Sequence, residues 1–224
     1  MKVSIIDYGA GNIKSIQFAF KRLGVEAKLT SSIEELFSSD RVIFPGVGEA
    51  SFAMNRLTQN KLDQVIPQLT QPVLGICLGM QLLCNKTEEG NTKGLGVFNT
   101  NIKRFSSIAK NDFKKASNNE EVEFTSFKDE QSKLNLDYRV KVPQMGWNTI
   151  KNLKTRLFDG VKEDEYMYLV HSYYAENCKE QIASTNYGIS YASALNKDNF
   201  YGVQFHPEKS GLVGEKILSN FLSL

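Results

Sequence analysis

The stretch "PVLGICLGMQLL", residues 72–83, limits what this chain can fold into more than any other. An apolar strand runs into an apolar helix with no polar linker between them, and the corner falls on Cys77. Gly75 stands two residues before it and Gly79 two residues after. A strand with no polar face is buried on both sides, as strands in parallel sheets covered by helices are. The remainder of the N-terminal half repeats this arrangement. "KVSIID" (2–7), "VEAKLT" (25–30) and "RVIFPG" (41–46) read as further strands.

Between them lie helical patterns. "IKSIQFAFKRLG" has apolar residues at helical spacing and ends at Gly24, a C-cap signal. Ser32 and Glu35 form a capping-box pattern for a short helix in "SIEELFSS", and residues 50–69 read as helical. Strands alternating with helices predict an α/β fold with a central, mostly parallel sheet flanked by helices.

The texture changes after residue 94. "GLGVFNTNIKRF", "RVKVPQMGWNTI", "YMYLVHSYYAE", "IASTNYGISYASALN" and "FYGVQFHPE" are aromatic and β-branched. They predict additional, partly antiparallel strands before a closing helix in "GLVGEKILSNFLSL". A polar stretch at 106–137 reads as a surface insertion with a short hairpin around "EVEFTSF". A chain of 224 residues is expected to form one domain.

A net charge of +2 without a dense basic stripe speaks against a nucleic-acid partner. No apolar run approaches the roughly 18 residues of a membrane span. Asp7 interrupts the segment where a signal peptide would continue its apolar core, so a cytoplasmic protein is expected. Three cysteines at 77, 84 and 178 make no disulfide framework and suggest free thiols. Two histidines and scattered cysteines have no metal-ligand spacing, so neither a metal nor another cofactor is expected.

A side chain held out at a strand-to-helix corner needs a strained turn and uncrowded backbone around it. Gly75 and Gly79 supply that room, as glycines do in the nucleophile elbow of hydrolases. The helix beginning at Leu78 directs its positive end at the sulfur, favouring thiolate, and the Leu78 N–H can bind an oxyanion. Alone, the pattern fits equally a small buried residue where a strand meets a helix. Cys84, seven residues on, falls on the same helix face and reads as core; Cys178, in polar "AENCKE", reads as an exposed loop residue.

A cysteine nucleophile needs a base. In "FHPE", His206 and Glu208 share a face if the segment is extended, so Glu208 can hold the imidazole tautomer and stabilise its cation. His171, inside a strand pattern, reads as structural or site-lining. In "FPGVGEA", Gly46 and Gly48 surround Val47 in a loop whose N–H groups can face a ligand. That loop should adjoin the Cys77 corner at the strand ends.

Together "PGVG", "GICLGMQ" and "HPE", in this order, resemble the class I glutamine amidotransferases. The resemblance implies a Cys77–His206–Glu208 triad that attacks the side-chain amide of glutamine and releases ammonia through a thioester. It also implies that Gly48, Gln81, Glu89, Ser172 and Tyr173 lie near the bound glutamine. "IIDYGAGNIKSI" and "VPQMGWN" are similar to the glutaminase subunits of imidazole glycerol phosphate synthases, which pass ammonia to a (β/α)₈-barrel cyclase subunit. That resemblance implies a heterodimer whose docking face includes Asn12, Met145, Trp147 and Asn148. A lone tryptophan read without it would be assigned to the core.

Two departures bear on the partner: Gln144 stands where the family more often has His, and 106–137 is longer than usual. They leave open a paralogue feeding ammonia to another synthase, such as one amidating a surface sugar. A non-catalytic regulator is opposed by the intact Cys77, His206 and Glu208. A cysteine hydrolase of peptides or small amides leaves Gln81, Glu89 and "MGWN" without a purpose.

Overall fold

The computed structural model describes residues 1–9, 12–105 and 140–224. The 106–137 insertion, with its expected hairpin, lies outside these residues. The N-terminal half alternates as its sequence predicts: β1 (Val3–Ile6), α1 (Ile13–Arg22), β2 (Ala27–Thr30), α2 (Ile33–Phe37), β3 (Arg41–Phe44), α3 (Ala50–Gln59), α4 (Leu62–Val65) and β4 (Val73–Ile76). Next come α5 (Leu78–Leu83), β5 (Cys84–Thr87), β6 (Thr92–Lys93) and β7 (Phe98–Arg104). The remaining elements are β8 (Gln144–Thr149), β9 (Tyr166–His171), β10 (Tyr173–Ala175), β11 (Gln181–Asn186), β12 (Ser190–Lys197), β13 (Phe200–Val203) and α6 (Gly211–Leu222).

Among the described residues one large sheet has the strand order β2-β1-β3-β4-β13-β12-β10-β7-β5-β6, with β11 also on β12. From β2 to β13 every pairing is parallel, and β12 and β10 then continue it antiparallel. This is the expected parallel centre with antiparallel additions from the C-terminal half. β8 and β9 form a separate antiparallel ribbon, with Gln144 opposite His171 and Trp147 opposite Tyr168.

Successive strand residues point to opposite faces, which divides the core in two. Ile5, Ile43, Leu74 and Ile76 pack with Phe20 of α1 and Ile217 and Phe221 of α6. Ile6, Phe44 and Val73 pack on the other face with Leu57, Leu62, Met80 and Leu83. α1 ends as its sequence suggests. Gly24 adopts φ +76°, its N–H donates to the Lys21 carbonyl, and the Val25 N–H donates to the Phe20 carbonyl, a Schellman closure.

Three local expectations change. The helix read across 50–69 breaks after Gln59, where Lys61 takes a left-handed φ of 59°; α4 and a 3₁₀ turn follow. The capping box is half made. Ser32 Oγ accepts from the Glu35 N–H at 3.2 Å, but the Glu35 carboxylate pairs with Lys28 instead of returning to the Ser32 backbone. The opposite charge on the neighbouring strand outcompetes a neutral N–H. Finally, α5 stops at Leu83, so Cys84 opens β5 in extended conformation instead of continuing the helix, although it is fully buried as expected.

α5 approaches the sheet at van der Waals limits, and glycine makes this possible. A Cβ on Gly79 would sit 2.0 Å from the Phe44 carbonyl oxygen, and one on Gly202 would sit 2.4 Å from Met80 Cγ. Backbone cannot move aside cheaply, whereas a methionine side chain can rotate. Gly79→Ala should therefore cost about 3 kcal/mol or more, and Gly202→Ala about 1 kcal/mol, in urea unfolding. Equal costs would show that α5 can shift as a unit.

Candidate active site

Cys77 occupies the corner between β4 and α5 with φ 53° and ψ −111°. A non-glycine residue here is strained and persists only where its surroundings hold it. Its N–H donates to the Val203 carbonyl of β13 at 2.8 Å, and its carbonyl accepts from the Gln81 N–H at 3.2 Å. Gly75 and Gly79 serve as the sequence implied. A Cβ on Gly75 would meet Met80 N at 2.8 Å, so neither glycine can carry a side chain without moving the turn.

His206 follows β13, and its N–H donates to the Tyr168 carbonyl at 2.9 Å. The chain does not stay extended beyond it, because Pro207 starts a 3₁₀ turn that contains Glu208. The predicted pairing is nevertheless made: His206 Nδ1 and Glu208 Oε1 are 2.9 Å apart and both side chains are buried. Ser210 Oγ holds the turn by donating to the His206 carbonyl at 2.7 Å. Gly214 of α6 packs so close that a Cβ there would lie 2.0 Å from the Pro207 carbonyl oxygen.

A cleft of about 360 Å³ opens in front of Cys77 and His206. Val47, Gly48, Leu78, Gln81, Glu89, Ser172 and Tyr173, each anticipated from the sequence, line it. Gly48 has φ +90°, and the PGVG loop meets α5 directly: a Cβ on Gly46 would lie 2.4 Å from the Gly79 nitrogen. Glu89 Oε2 accepts from the Ala50 N–H at 3.0 Å, and burial raises its pKa above the usual carboxylate value. Gln81 Nε2 donates to the Tyr173 carbonyl at 3.0 Å and to Gln204 Oε1 at 2.8 Å.

Pro143, Val170, His171 and Lys209 also line the cleft. His171, for which the sequence allows a structural or a lining role, has both. Lys209 was legible as the residue after "HPE". Pro143 and Val170 had no signal, because their position depends on how the β8–β9 ribbon folds over the sheet ends. Gln204 is also part of the site: fully buried, it points Nε2 at Cys77 Sγ from 3.7 Å. Its spacing of two from His206 was the available cue.

The two histidines are tuned in opposite directions. Burial pushes the His171 pKa down to about 4, only partly offset by its Nδ1 bond to the Tyr173 carbonyl at 2.7 Å. Burial also opposes charge on His206, but its bonds to Cys77 and Glu208 outweigh that and lift its pKa to about 10.

On the ribbon's outer face Met145 and Trp147 are 66% and 56% exposed. The Trp147 ring meets Tyr168 edge-on at 6.0 Å between centroids, and Tyr168 in turn faces His206 at 6.4 Å. Lys209 Nζ lies 5.7 Å over the Tyr168 ring. Asn12 is exposed at the start of α1. Asn148 alternates to the other face of β8, where its Nδ2 donates to the Asn186 carbonyl at 2.9 Å. Gln144 is not at the surface: it is buried, its Oε1 accepting from the Tyr191 hydroxyl at 2.9 Å. Strand alternation puts it on the side opposite Trp147. Cys178 is half-buried against the core beneath β7 and β12, not on an open loop.

The glutamine amidotransferase class-I family model matches residues 4–224. The chain belongs to the class I glutamine amidotransferases. It is 49% identical over 224 residues to the imidazole glycerol phosphate synthase subunit HisH of Bacteroides fragilis strain YCH46, covering 100% of both chains. It is 38% identical to the protein of the same name from Haemophilus influenzae strain Rd, covering 99% of this chain and 97% of that one. Among solved structures, a putative GMP synthase protein from Thermoplasma acidophilum shares the fold, with a TM-score of 0.67 and 17% identity, covering 100% of this chain and 92% of that one.

In this amidotransferase no described helix is long and apolar enough to cross a membrane. Among the described residues no His, Cys, Asp or Glu cluster is arranged to hold a metal ion. The opposed histidine environments make a direct prediction. In a ¹⁵N imidazole titration, His206 should stay protonated through neutral pH and lose its proton near about pH 10, while His171 stays neutral down to about pH 4. Stability should also fall on acidification from about pH 6.5 toward 4, as His171 is forced to protonate. Two titrations near pH 6.5 would remove the electrostatic account of the cleft.

Proposed function

We propose that this chain is the glutaminase subunit of a cytoplasmic imidazole glycerol phosphate synthase, working with a (β/α)₈-barrel cyclase subunit. The observation carrying the proposal is the convergence of a strained elbow cysteine and a buried His206–Glu208 pair on one cleft. Full-length similarity to proteins named as that synthase's subunit supports this reading over ammonia supply to another synthase.

In this mechanism Cys77 Sγ attacks the side-chain carbonyl carbon of glutamine. The oxyanion is received by the Leu78 N–H and the PGVG loop. His206 delivers a proton to the departing nitrogen, leaving ammonia and a thioester. It then takes a proton from water as that water attacks the thioester carbon, which releases glutamate and the Cys77 thiolate. Glu208 holds Nδ1 of the imidazole and stabilises its cation. Glu89, half-buried at the cleft wall, is suited to the ammonium end of the substrate.

The product requires a partner. Ammonia released into neutral water becomes ammonium, which is no nucleophile, so transfer needs a sealed contact. Trp147 and Met145, exposed side by side on β8, suit the aromatic anchor of such a contact. The Trp147–Tyr168–His206 ring contacts link this face to the triad. Asn12 lies within the proposed face, while Asn148 supports it from behind through Asn186.

Cys77→Ala should abolish glutamine hydrolysis while the chain still folds and binds its partner. An electrophilic glutamine analogue should label Cys77 and spare Cys84 and Cys178. His206→Ala should cost about 10³-fold or more in rate and Glu208→Gln less, since Glu208 orients without exchanging a proton. Labelling chiefly at Cys178 would refute the assignment.

Adding the cyclase subunit with its ligand should raise glutaminase activity, and Trp147→Ala should weaken docking or this activation with little change in Tm. Full activity of the isolated chain would argue against partner control.

A further inference from the structure

Gln204 lies just past β13 and is completely buried. An amide without access to water must find partners for both its oxygen and its nitrogen. The oxygen accepts from Gln81 Nε2 at 2.8 Å, and the nitrogen faces Cys77 Sγ at 3.7 Å, within reach for a donor to sulfur. The chain alternates here, so Gln204 and His206 approach the sulfur from one side while Phe205 enters the core behind them.

The direction of these bonds is dictated from the main chain. Oxygen and nitrogen of an amide are distinguished only by their partners. The Tyr173 carbonyl can only accept, so Gln81 must turn its NH₂ group toward it, at 3.0 Å. The second hydrogen of that NH₂ meets Gln204, which must answer with oxygen. The NH₂ of Gln204 is then left aimed at the sulfur. The same Tyr173 carbonyl is held from the other side by His171 Nδ1 at 2.7 Å.

Opposite Gln204, the Val170 carbonyl oxygen stands 3.9 Å from Sγ. A carbonyl accepts from the thiol and repels the thiolate, while an N–H donor favours the thiolate. We infer that Gln204 donates a hydrogen bond to ionised Cys77, and that Gln81 is the positioning residue whose amide orients that donor. The inference rests on Cys77 being the nucleophile. It gives Gln81 a role apart from substrate binding, since both its amide hydrogens are already engaged within the protein.

The test is the pH dependence of Cys77 alkylation by iodoacetamide in the full chain, followed at the Cys77 peptide by mass spectrometry. Gln204→Met should move the profile to higher pH and slow alkylation at neutral pH about tenfold. It should lower kcat for glutamine by a similar factor with KM changed less than about twofold. Gln204→Glu should be worse than Gln204→Met, because an acceptor-only group would face the thiolate. Gln81→Met should shift the profile in the same direction by a smaller amount, about threefold at neutral pH, and decides the matter if Gln204→Met does not fold. An unchanged profile in a folded Gln204→Met chain would overturn the inference, whatever its effect on Tm. A parent chain that fails to hydrolyse glutamine with its cyclase subunit, while the variants show the expected shifts, would count against the glutaminase reading and for the relay.

Discussion

The closeness of α5 to the sheet is the constraint on which the rest of the site depends. Gly79 lies against the Phe44 carbonyl, Gly46 against the Gly79 nitrogen, and Gly202 against Met80. These contacts bring the ends of β3, β4 and β13 and the first turn of α5 to one point. Cys77 can hold φ 53° there because its N–H is tied to Val203 and its carbonyl to Gln81. Without the glycines α5 would stand away from the strands. The PGVG loop, the sulfur and His206 would then no longer share a cleft.

Around that point the polar groups form two connected systems. One runs from the sulfur through His206 to Glu208 and is held by Ser210 and by the close packing of α6 at Gly214. The other runs from the Tyr173 carbonyl through Gln81 and Gln204 back to the sulfur. The first places a proton acceptor; the second places a donor. His171 touches the second system at Tyr173, and burial keeps it neutral beside the charged His206. Opposite protonation of two histidines within one cleft follows from their partners: His171 meets a backbone carbonyl and a phenol, while His206 meets a carboxylate and a thiol.

Much of this was legible in the residues. Period-two and period-3.6 patterns found β1 to β4 and their helices, because an apolar stripe and a capped end are local events. The G-x-C-x-G corner and His-x-Glu spacing were legible because each residue set lies within one turn of chain. Legibility failed where a choice depended on a distant competitor. Glu35 left its capping box for Lys28 across a loop. Lys61 broke a helix that its neighbours' composition favours. Gln144 was assigned to the docking side from its neighbour Trp147, but alternation along β8 turned it into the core against Tyr191.

The sequence by itself determined the element types, the nucleophile and its paired base, and membership of the amidotransferase family, since these rest on spacing within short segments. Tertiary structure alone decided that the β8–β9 ribbon closes one wall of the cleft with Pro143 and Val170, that Met145 and Trp147 face outward while Asn148 faces in, and that Gln204 points its nitrogen at sulfur. Each of these depends on which side of a strand meets which neighbour, and the last also on a carbonyl 92 residues from Gln81 in the chain. Chain spacing does not encode such contacts, because the free energy that selects them is shared among elements that meet only after folding.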